Sequence, residues 1–415
     1  MKVACINNMN NTMFVLMRYL RDNGIDAELL LFPNEFDHFQ PKGDTYTWDK
    51  FKDHVKMLEW GTFRDFFTGS KQKIIDSVKH YDLTIGCGWT PAFFQKAGLK
   101  LDIILSYGGD IHYMPTKRFV NLNPRLDKKL LNYFLSKAQE KGIRNAGNRL
   151  LQTVKDYYLV KEQFGDIFLG MHAMPLYLPD YDDLAGANNI EMVHKDTFDK
   201  LRAENDILLF NHSRQLWKTF KGTGTVFGKG NHKMIEGYAQ YLKQANKSSK
   251  LVMFEYGVDV LNSKKLVAEL GIGDNVVWMP KMPRNELLYG LKFADLASDA
   301  FNSGDFGSTA CEVWLVDKPL MNYIKPSQEE YDKYMMKMPL PPVINVNTSD
   351  EIAKSLVDYE LRPDHYVALG IKGGKWFREY MGDGLVKKWV SFLNDIHSDK
   401  EINIDNYVFG GHSLV

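Results

Sequence analysis

The stretch Lys2–Phe32, KVACINNMNNTMFVLMRYLRDNGIDAELLLF, decides the fold. Lys2–Asn7 is a short apolar run suited to a buried strand, and Thr12–Asn23 has the period of an amphipathic helix. Gly24 stops that helix, and Ala27–Phe32 is a second strand. Strand, helix and strand so close together make a βαβ unit, whose strands run parallel. The pattern recurs outward from there. Tyr81–Gly86 and Leu101–Ser106 read as strands, Pro91–Ala97 opens a helix at its proline, and Gly165–Gly170 is the last strand of this half. Leu178–Asp206 breaks the rhythm with eight acidic residues and the loop-like run Ala185–Asn189. Alternation restarts with strands at Asp206–Phe210, Lys250–Phe254, Asn275–Met279, Ala294–Ser298 and Pro319–Ile324. Helices run from Asn231, through Leu270, from Arg284 and from near Ser308, and Trp376–Ile396 reads as a closing helix. The expected class is α/β: two Rossmann-like, doubly wound parallel-sheet domains facing across a cleft, spanning 1–185 and 205–375.

Composition narrows the function classes. The chain has 415 residues, 44% of them apolar, enough for two or three cores. Its 52 basic and 52 acidic residues cancel, so bulk charge predicts no nucleic-acid partner. No apolar run approaches the length of a membrane span. The run behind Met1-Lys2 ends at Ile6, too short for a signal peptide. Cys5, Cys87 and Cys311 are odd in number and far apart, which argues against a disulfide framework or zinc knuckle and fits a reducing cytoplasm.

Open parallel sheets bind ligands at the carboxyl ends of their strands, where helix N-termini favour anions. Four loops there carry candidate chemistry. In Ser303–Pro319 (SGDFGSTACEVWLVDKP), Gly304 and Gly307 allow close backbone approach and Ser308 or Thr309 can cap the following helix. The Phe306, Gly307, Ser308 and Thr309 amides can hold sugar hydroxyls or phosphate, and Glu312, just over one turn in, suits a ribose diol. Asn211–Lys233 is a basic loop whose cations can offset a diphosphate. Trp278–Arg284 (WMPKMPR) and Ser106–His112 (SYGGDIH) also follow strands, and Asp110 and His112 are the best polar candidates of the first half. The Gly222-x-Gly224 pair lacks the third glycine of a dinucleotide fingerprint, so a dehydrogenase is rejected. Asp180-x-Asp182 lies away from these loops and reads as solvated carboxylates rather than a metal site.

The Ser303–Pro319 stretch resembles the donor site of GT-B glycosyltransferases, in particular the retaining glycosyltransferase family 4. Phe306-Gly307, Glu312 and Asp317-Lys318-Pro319 fall in register with that family's motif, while its first glutamate falls on Gly304, with Asp305 one place later. The resemblance implies that Glu312 binds the nucleotide ribose and that Asp305, Phe306, Gly307, Ser308 and Thr309 face the donor. It implies that Arg214 and Lys229 hold the donor pyrophosphate, with Lys218 and Lys221 as rivals for the lysine role, and that Lys281 and Met282 lie at the base. On the acceptor side it implies Asp110 and His112, with Tyr107, Gly108, Asn8 and Asn10 around them, and a C-terminal helix of about 376–397 crossing back to the first domain. The implied activity is metal-independent, cofactor-free transfer of a sugar from a nucleotide-sugar donor to a glycan or lipid-linked acceptor, in surface polysaccharide or glycoconjugate synthesis. A nucleotide-sugar epimerase or hydrolase of the same plan, and a non-catalytic sugar- or nucleotide-binding protein, are the alternatives.

Residues 117–161 hold 11 Lys and Arg against three acidic residues, interspersed with Phe119, Tyr133, Phe134, Tyr157 and Tyr158. Such a face suits peripheral contact with the inner face of a membrane. It equally suits a solvated helix balanced by the acidic 178–206 segment.

Overall fold

A computed structural model describes residues 1–33, 39–151, 157–165, 168–169, 174–182, 191–219, 228–325, 327–332, 338–403 and 406–407. Among these residues thirteen strands form two sheets. β1 (Lys2–Ile6), β2 (Asp26–Leu31), β3 (Val55–Met57), β4 (Leu83–Gly86), β5 (Ile103–Leu105), β6 (Asn148–Leu151) and β7 (Phe168–Leu169) make the first, in the order β3-β2-β1-β4-β5-β6-β7. β8 (Ile207–Asn211), β9 (Ser249–Phe254), β10 (Val276–Met279), β11 (Leu296–Ser298), β12 (Leu320–Asn322) and β13 (Ile344–Asn345) make the second, in the order β10-β9-β8-β11-β12-β13. Every strand pairing is parallel. Both sheets are doubly wound, so each reverses its strand order once, between β1 and β4 and between β8 and β11.

The chain divides into two compact units. The first is Met1–Tyr177, Lys333–Met338 and Tyr380–Val415; the second is Leu178–Asp332 and Pro339–Glu379. The first core joins β1, β2 and the helix Thr12–Asp22 to the C-terminal helix Asp383–His397, which contributes Leu385, Trp389 and Phe392. Arg18 lies inside it, its guanidinium on the Asp44 carboxylate at 2.8 Å and over the Phe14 and Tyr177 rings at 4.1 and 4.4 Å. The second core packs the helices Asn231–Leu242 and Ser349–Leu361 on β8 and β9.

Several sequence expectations shift. β3, β6 and β13 went unread; β3 is an exposed, Lys56-bearing edge and β13 has two residues, so neither shows an apolar run. Within 178–206, read as linker, Lys195–Glu204 is a helix that buries Phe198 against Gly290, where an added Cβ would lie 2.5 Å from the Phe198 ring. The run Ala185–Asn189 lies outside the described residues, as do Lys221, Gly222 and Gly224 and the side chains of Tyr157 and Tyr158. The closing helix is also longer and broken. Pro363–Phe377 is α-helical, Arg378–Gly382 is a π-turn, and Asp383–His397 resumes the α-helix.

Glycines inside Pro363–Phe377 hid its first turns from a propensity reading. They are there for close approach. A Cβ at Gly370 would lie 2.4 Å from the Asp317 carbonyl oxygen, one at Gly373 2.5 Å from Trp314 Cδ1, and one at Gly374 1.7 Å from Asp317 Oδ1. Asp317 adopts φ +55°, and Arg378 pairs with it at 2.8 Å. Gly370→Ala should therefore destabilise the protein by about 1–3 kcal/mol, although alanine gains about 1 kcal/mol in an unhindered helix. Urea unfolding checks this; an unchanged or higher midpoint would remove the close-packing account.

Candidate functional site

The switch point of the second sheet places the ends of β8 and β11 side by side. The segment after β8 is held rigid by buried polar groups. Asn211 Nδ2 donates to Ser298 Oγ at 2.8 Å, and Asn231 Nδ2 donates to Asn211 Oδ1 and Ser213 Oγ at 3.0 and 3.1 Å. Asn231 Oδ1 accepts from the Leu216 amide at 3.0 Å. Asp259 then accepts from the amides of Trp217, Lys218 and Thr219 and from the Thr219 hydroxyl. Burial favours its neutral form, but these donors outweigh burial and hold the carboxyl down at about 2.

Two buried carboxylates organise the start of the helix Ser308–Leu315. Asp299, just past β11, accepts Lys229 Nζ at 2.5 Å on one oxygen and the Gly307 amide at 3.0 Å on the other. The Lys229 main chain is pinned at both ends, its amide donating to the Leu216 carbonyl and its carbonyl accepting from the Phe301 amide. Glu312 accepts Arg284 Nε at 2.8 Å on Oε1 and His212 Nε2 at 3.1 Å on Oε2. Burial alone would raise the Glu312 pKa; the His212 hydrogen bond and the Arg284 charge reverse that and lower it. His212 Nδ1 is buried with no hydrogen-bond partner among the described residues. Cys311, between these acids, is buried, and its thiol pKa is raised, chiefly by burial and then by Glu312 and Asp299.

The remaining second-half candidates divide by environment. Arg214 is exposed and makes no ion pair among the described residues; its Cγ would lie 2.9 Å from a Cβ on Gly257 (φ +117°). Lys218 is exposed. The Phe306 ring is committed to an aromatic cluster, 5.1 Å from Trp314 and 5.7 Å from Trp376. Gly307 is the N-cap, so neither Ser308 nor Thr309 caps the helix; both are half-buried in its first turn. Gly304 adopts φ +75° and its carbonyl accepts from the Lys325 amide at 3.1 Å, so the register of the family's first glutamate is a left-handed turn. Asp305 is half-buried, with its carbonyl accepting from Asn322 Nδ2 at 2.9 Å. Lys281 is exposed with its ammonium 5.1 Å over the Tyr256 ring, and Met282 is half-buried.

The structure thus gathers Lys229, Gly307 and Glu312 at one helix start and adds three residues the sequence reading left out: His212, Arg284 and Asp299. Arg284 carried a legible signal. It opens the helix Arg284–Leu291, where a cation opposes the helix dipole and needs a carboxylate partner.

At the switch point of the first sheet, Asp110 is fully buried and accepts from Ser106 Oγ (2.7 Å), the Gly88 amide (3.1 Å) and the Tyr107 amide (3.2 Å). It latches the ends of β4 and β5 together. Gly108 caps the short helix Gly109–His112 at φ +105°, and His112 and Tyr107 are half-buried. The Asn8 side chain braces its own loop. It is buried, donating to Asn11 Oδ1 and the Phe39 carbonyl and accepting from the Phe14 amide. Asn10 stays half-buried at φ +53°. Asp180 is buried rather than solvated, and among the described residues no group of His, Cys, Asp and Glu could hold a metal ion.

No family model matches the sequence, and no curated protein matches it in sequence. The fold has solved counterparts. Sucrose-phosphate synthase from Thermosynechococcus elongatus aligns over 96% of this chain and 100% of its own, with TM-score 0.54 and 13% identity. UDP-GlcNAc 2-epimerase from Neisseria meningitidis, solved with UDP-GlcNAc, aligns over 95% and 100%, with TM-score 0.54 and 13% identity. WaaG, a glycosyltransferase involved in lipopolysaccharide biosynthesis, aligns over 94% and 99%, with TM-score 0.52 and 12% identity. The fold is GT-B, an architecture that these similar structures use for both sugar transfer and epimerisation.

Burial pushes the Asp110 carboxyl up to about 6 despite its three donors. The native state therefore holds a proton that the unfolded chain has already lost between about pH 4 and 6, and stability from this residue falls as pH rises through that window. The stability advantage of wild type over Asp110→Asn should shrink by up to about 3 kcal/mol between pH 4 and pH 7.5. Denaturant titrations at the two pH values check it, and a widening gap would contradict the assignment.

Proposed function

We propose that this protein is a glycosyltransferase that moves a sugar from a nucleotide-sugar donor to a glycan or lipid-linked acceptor with retention. It would work on the cytoplasmic side of a membrane in surface-glycan synthesis. The observation that carries this reading is the helix start where Lys229, the first-turn backbone of Ser308 and Thr309 and Glu312 stand within about one turn of each other. A helix N-terminus with a neighbouring ammonium favours a diphosphate. Lys229 gives one of its three ammonium hydrogens to Asp299 and keeps two for phosphate oxygens. Arg214, exposed after β8, supplies the second cation. Glu312 has spent one acceptor site per oxygen on Arg284 and His212, so each oxygen keeps a lone pair for a ribose hydroxyl. Lys281 and Met282 are assigned to the base, and Asp305 to the donor sugar in place of the missing first glutamate.

In the proposed reaction the bond from the sugar's anomeric carbon to the diphosphate oxygen breaks. Its electron pair leaves with the diphosphate, and the acceptor oxygen bonds to the same face of that carbon. The acceptor proton passes to the departing phosphate oxygen. Arg214 and Lys229 stabilise the charge that develops there, so each should contribute to turnover more than to donor binding. On the acceptor side Asp110 acts by holding its loop, and His112, Tyr107 and Asn10 are the groups offered to the acceptor.

Nucleoside diphosphates should raise the thermal midpoint of wild type, and Glu312→Gln should abolish that rise. Arg214→Ala and Lys229→Ala should each cut sugar transfer by about 10²–10³-fold. Equal thermal shifts in wild type and Glu312→Gln would sink the ribose assignment. The match to UDP-GlcNAc 2-epimerase supports a second reading, nucleotide-sugar epimerisation. Product analysis separates the two, since an epimerase converts its substrate with no acceptor added.

A further inference from the structure

The helix Leu126–Asn145 is inside out. Its buried side carries Asn132, Ser136, Gln139 and Gly142 alongside Leu135 and Ile143. That side is held by hydrogen bonding and close approach. Gln139 donates to the Gly88 and Asp110 carbonyls and accepts from the Ala92 amide, and a Cβ at Gly142 would lie 2.0 Å from the Pro91 carbonyl oxygen. The apolar stripe that would ordinarily face a core, Leu126, Leu130, Tyr133 and Phe134 at i, i+4, i+7 and i+8, points to solvent, and Leu122 continues it upstream. Leu126 is 83% exposed and Phe134 54%. A soluble surface does not gather large apolar side chains this way without something to cover them.

The charge around the stripe identifies that cover. Lys117, Arg118, Lys128, Lys129 and Lys141 flank it and make no ion pair among the described residues; the acidic neighbours Asp127 and Glu140 are taken by Arg125 and by Lys137 and Arg144. A second copy of this chain docked face to face would bring these cations against themselves. An anionic bilayer accepts both features, with leucine and aromatic side chains entering the headgroup boundary while lysine and arginine reach its phosphates. The stripe also adjoins the acceptor-side loop, because Phe119 packs against Trp89 and Tyr113 at 5.0 and 5.9 Å.

We propose that Leu122, Leu126, Leu130, Tyr133 and Phe134, with the flanking cations, form a binding surface for anionic membranes. Its use, to hold the enzyme where a lipid-linked acceptor lies, rests on the transferase reading; the lipid contact itself does not. Vesicle flotation of the full chain tests it, with phosphatidylcholine vesicles made with and without phosphatidylglycerol. Wild type should float with the anionic vesicles at low salt and be released by high salt. Leu126→Ser combined with Leu130→Ser should weaken binding at least tenfold, and Lys117→Gln, Lys128→Gln and Lys129→Gln together roughly a hundredfold, at about fivefold per cation. All these positions are on the surface, so thermal midpoints should stay unchanged and report that the variants are folded. Wild type remaining in the aqueous fraction, or variants floating as well as wild type, would overturn the proposal. So would sedimentation showing that Leu126→Ser splits a dimer while vesicles bind nothing. A nucleotide-induced thermal shift without flotation would overturn this surface alone, whereas flotation without any nucleotide response would leave it standing and remove the transferase reading.

Discussion

A carboxylate is stable inside a protein only when cations and hydrogen-bond donors surround it. The second unit depends on two such carboxylates. Asp299 ties the loop bearing Lys229 to the Gly307 amide, and Glu312 ties the segment after β8 to the start of the helix Arg284–Leu291 through His212 and Arg284. Neither acid tolerates the loss of its partners, so each fixes the placement of the loops it joins. Four separate chain segments meet at one helix N-terminus for this electrostatic reason, and the sheet's switch point brings them close enough for it to operate.

The first unit uses the same logic with less charge. Asp110 gathers an amide from the end of β4 and an amide and hydroxyl from the end of β5, and among the described residues no cation pairs with it. Burial wins there, and the acid is held weak rather than strong. Two parallel sheets built on one plan thus set two opposite electrostatic tones at their switch points.

Most of the strands were legible in the sequence because a parallel strand buried on both faces must be apolar throughout. Val3–Ile6, Leu208–Phe210 and Leu251–Phe254 announce themselves this way. The exposed edge strand Val55–Met57 lacks that signal, and the helix Pro363–Phe377 was obscured by glycines whose purpose is contact with the Asp317–Pro319 backbone. For the candidate site, Glu312 and Lys229 could be picked from spacing. Asp299 and His212 could not, because their meaning lies in partners that are distant in the chain, whereas Arg284 was legible as a cation opening a helix.

The first unit's core is not contiguous in the chain. Leu385, Val386, Trp389, Phe392, Leu393 and Tyr407 belong to the same cluster as Val3, Phe14 and Leu29. During synthesis the opening 177 residues must therefore wait, with one side of Thr12–Asp22 uncovered, while nearly the whole second unit emerges and becomes free to fold first. The half of the protein made earliest is the half completed last.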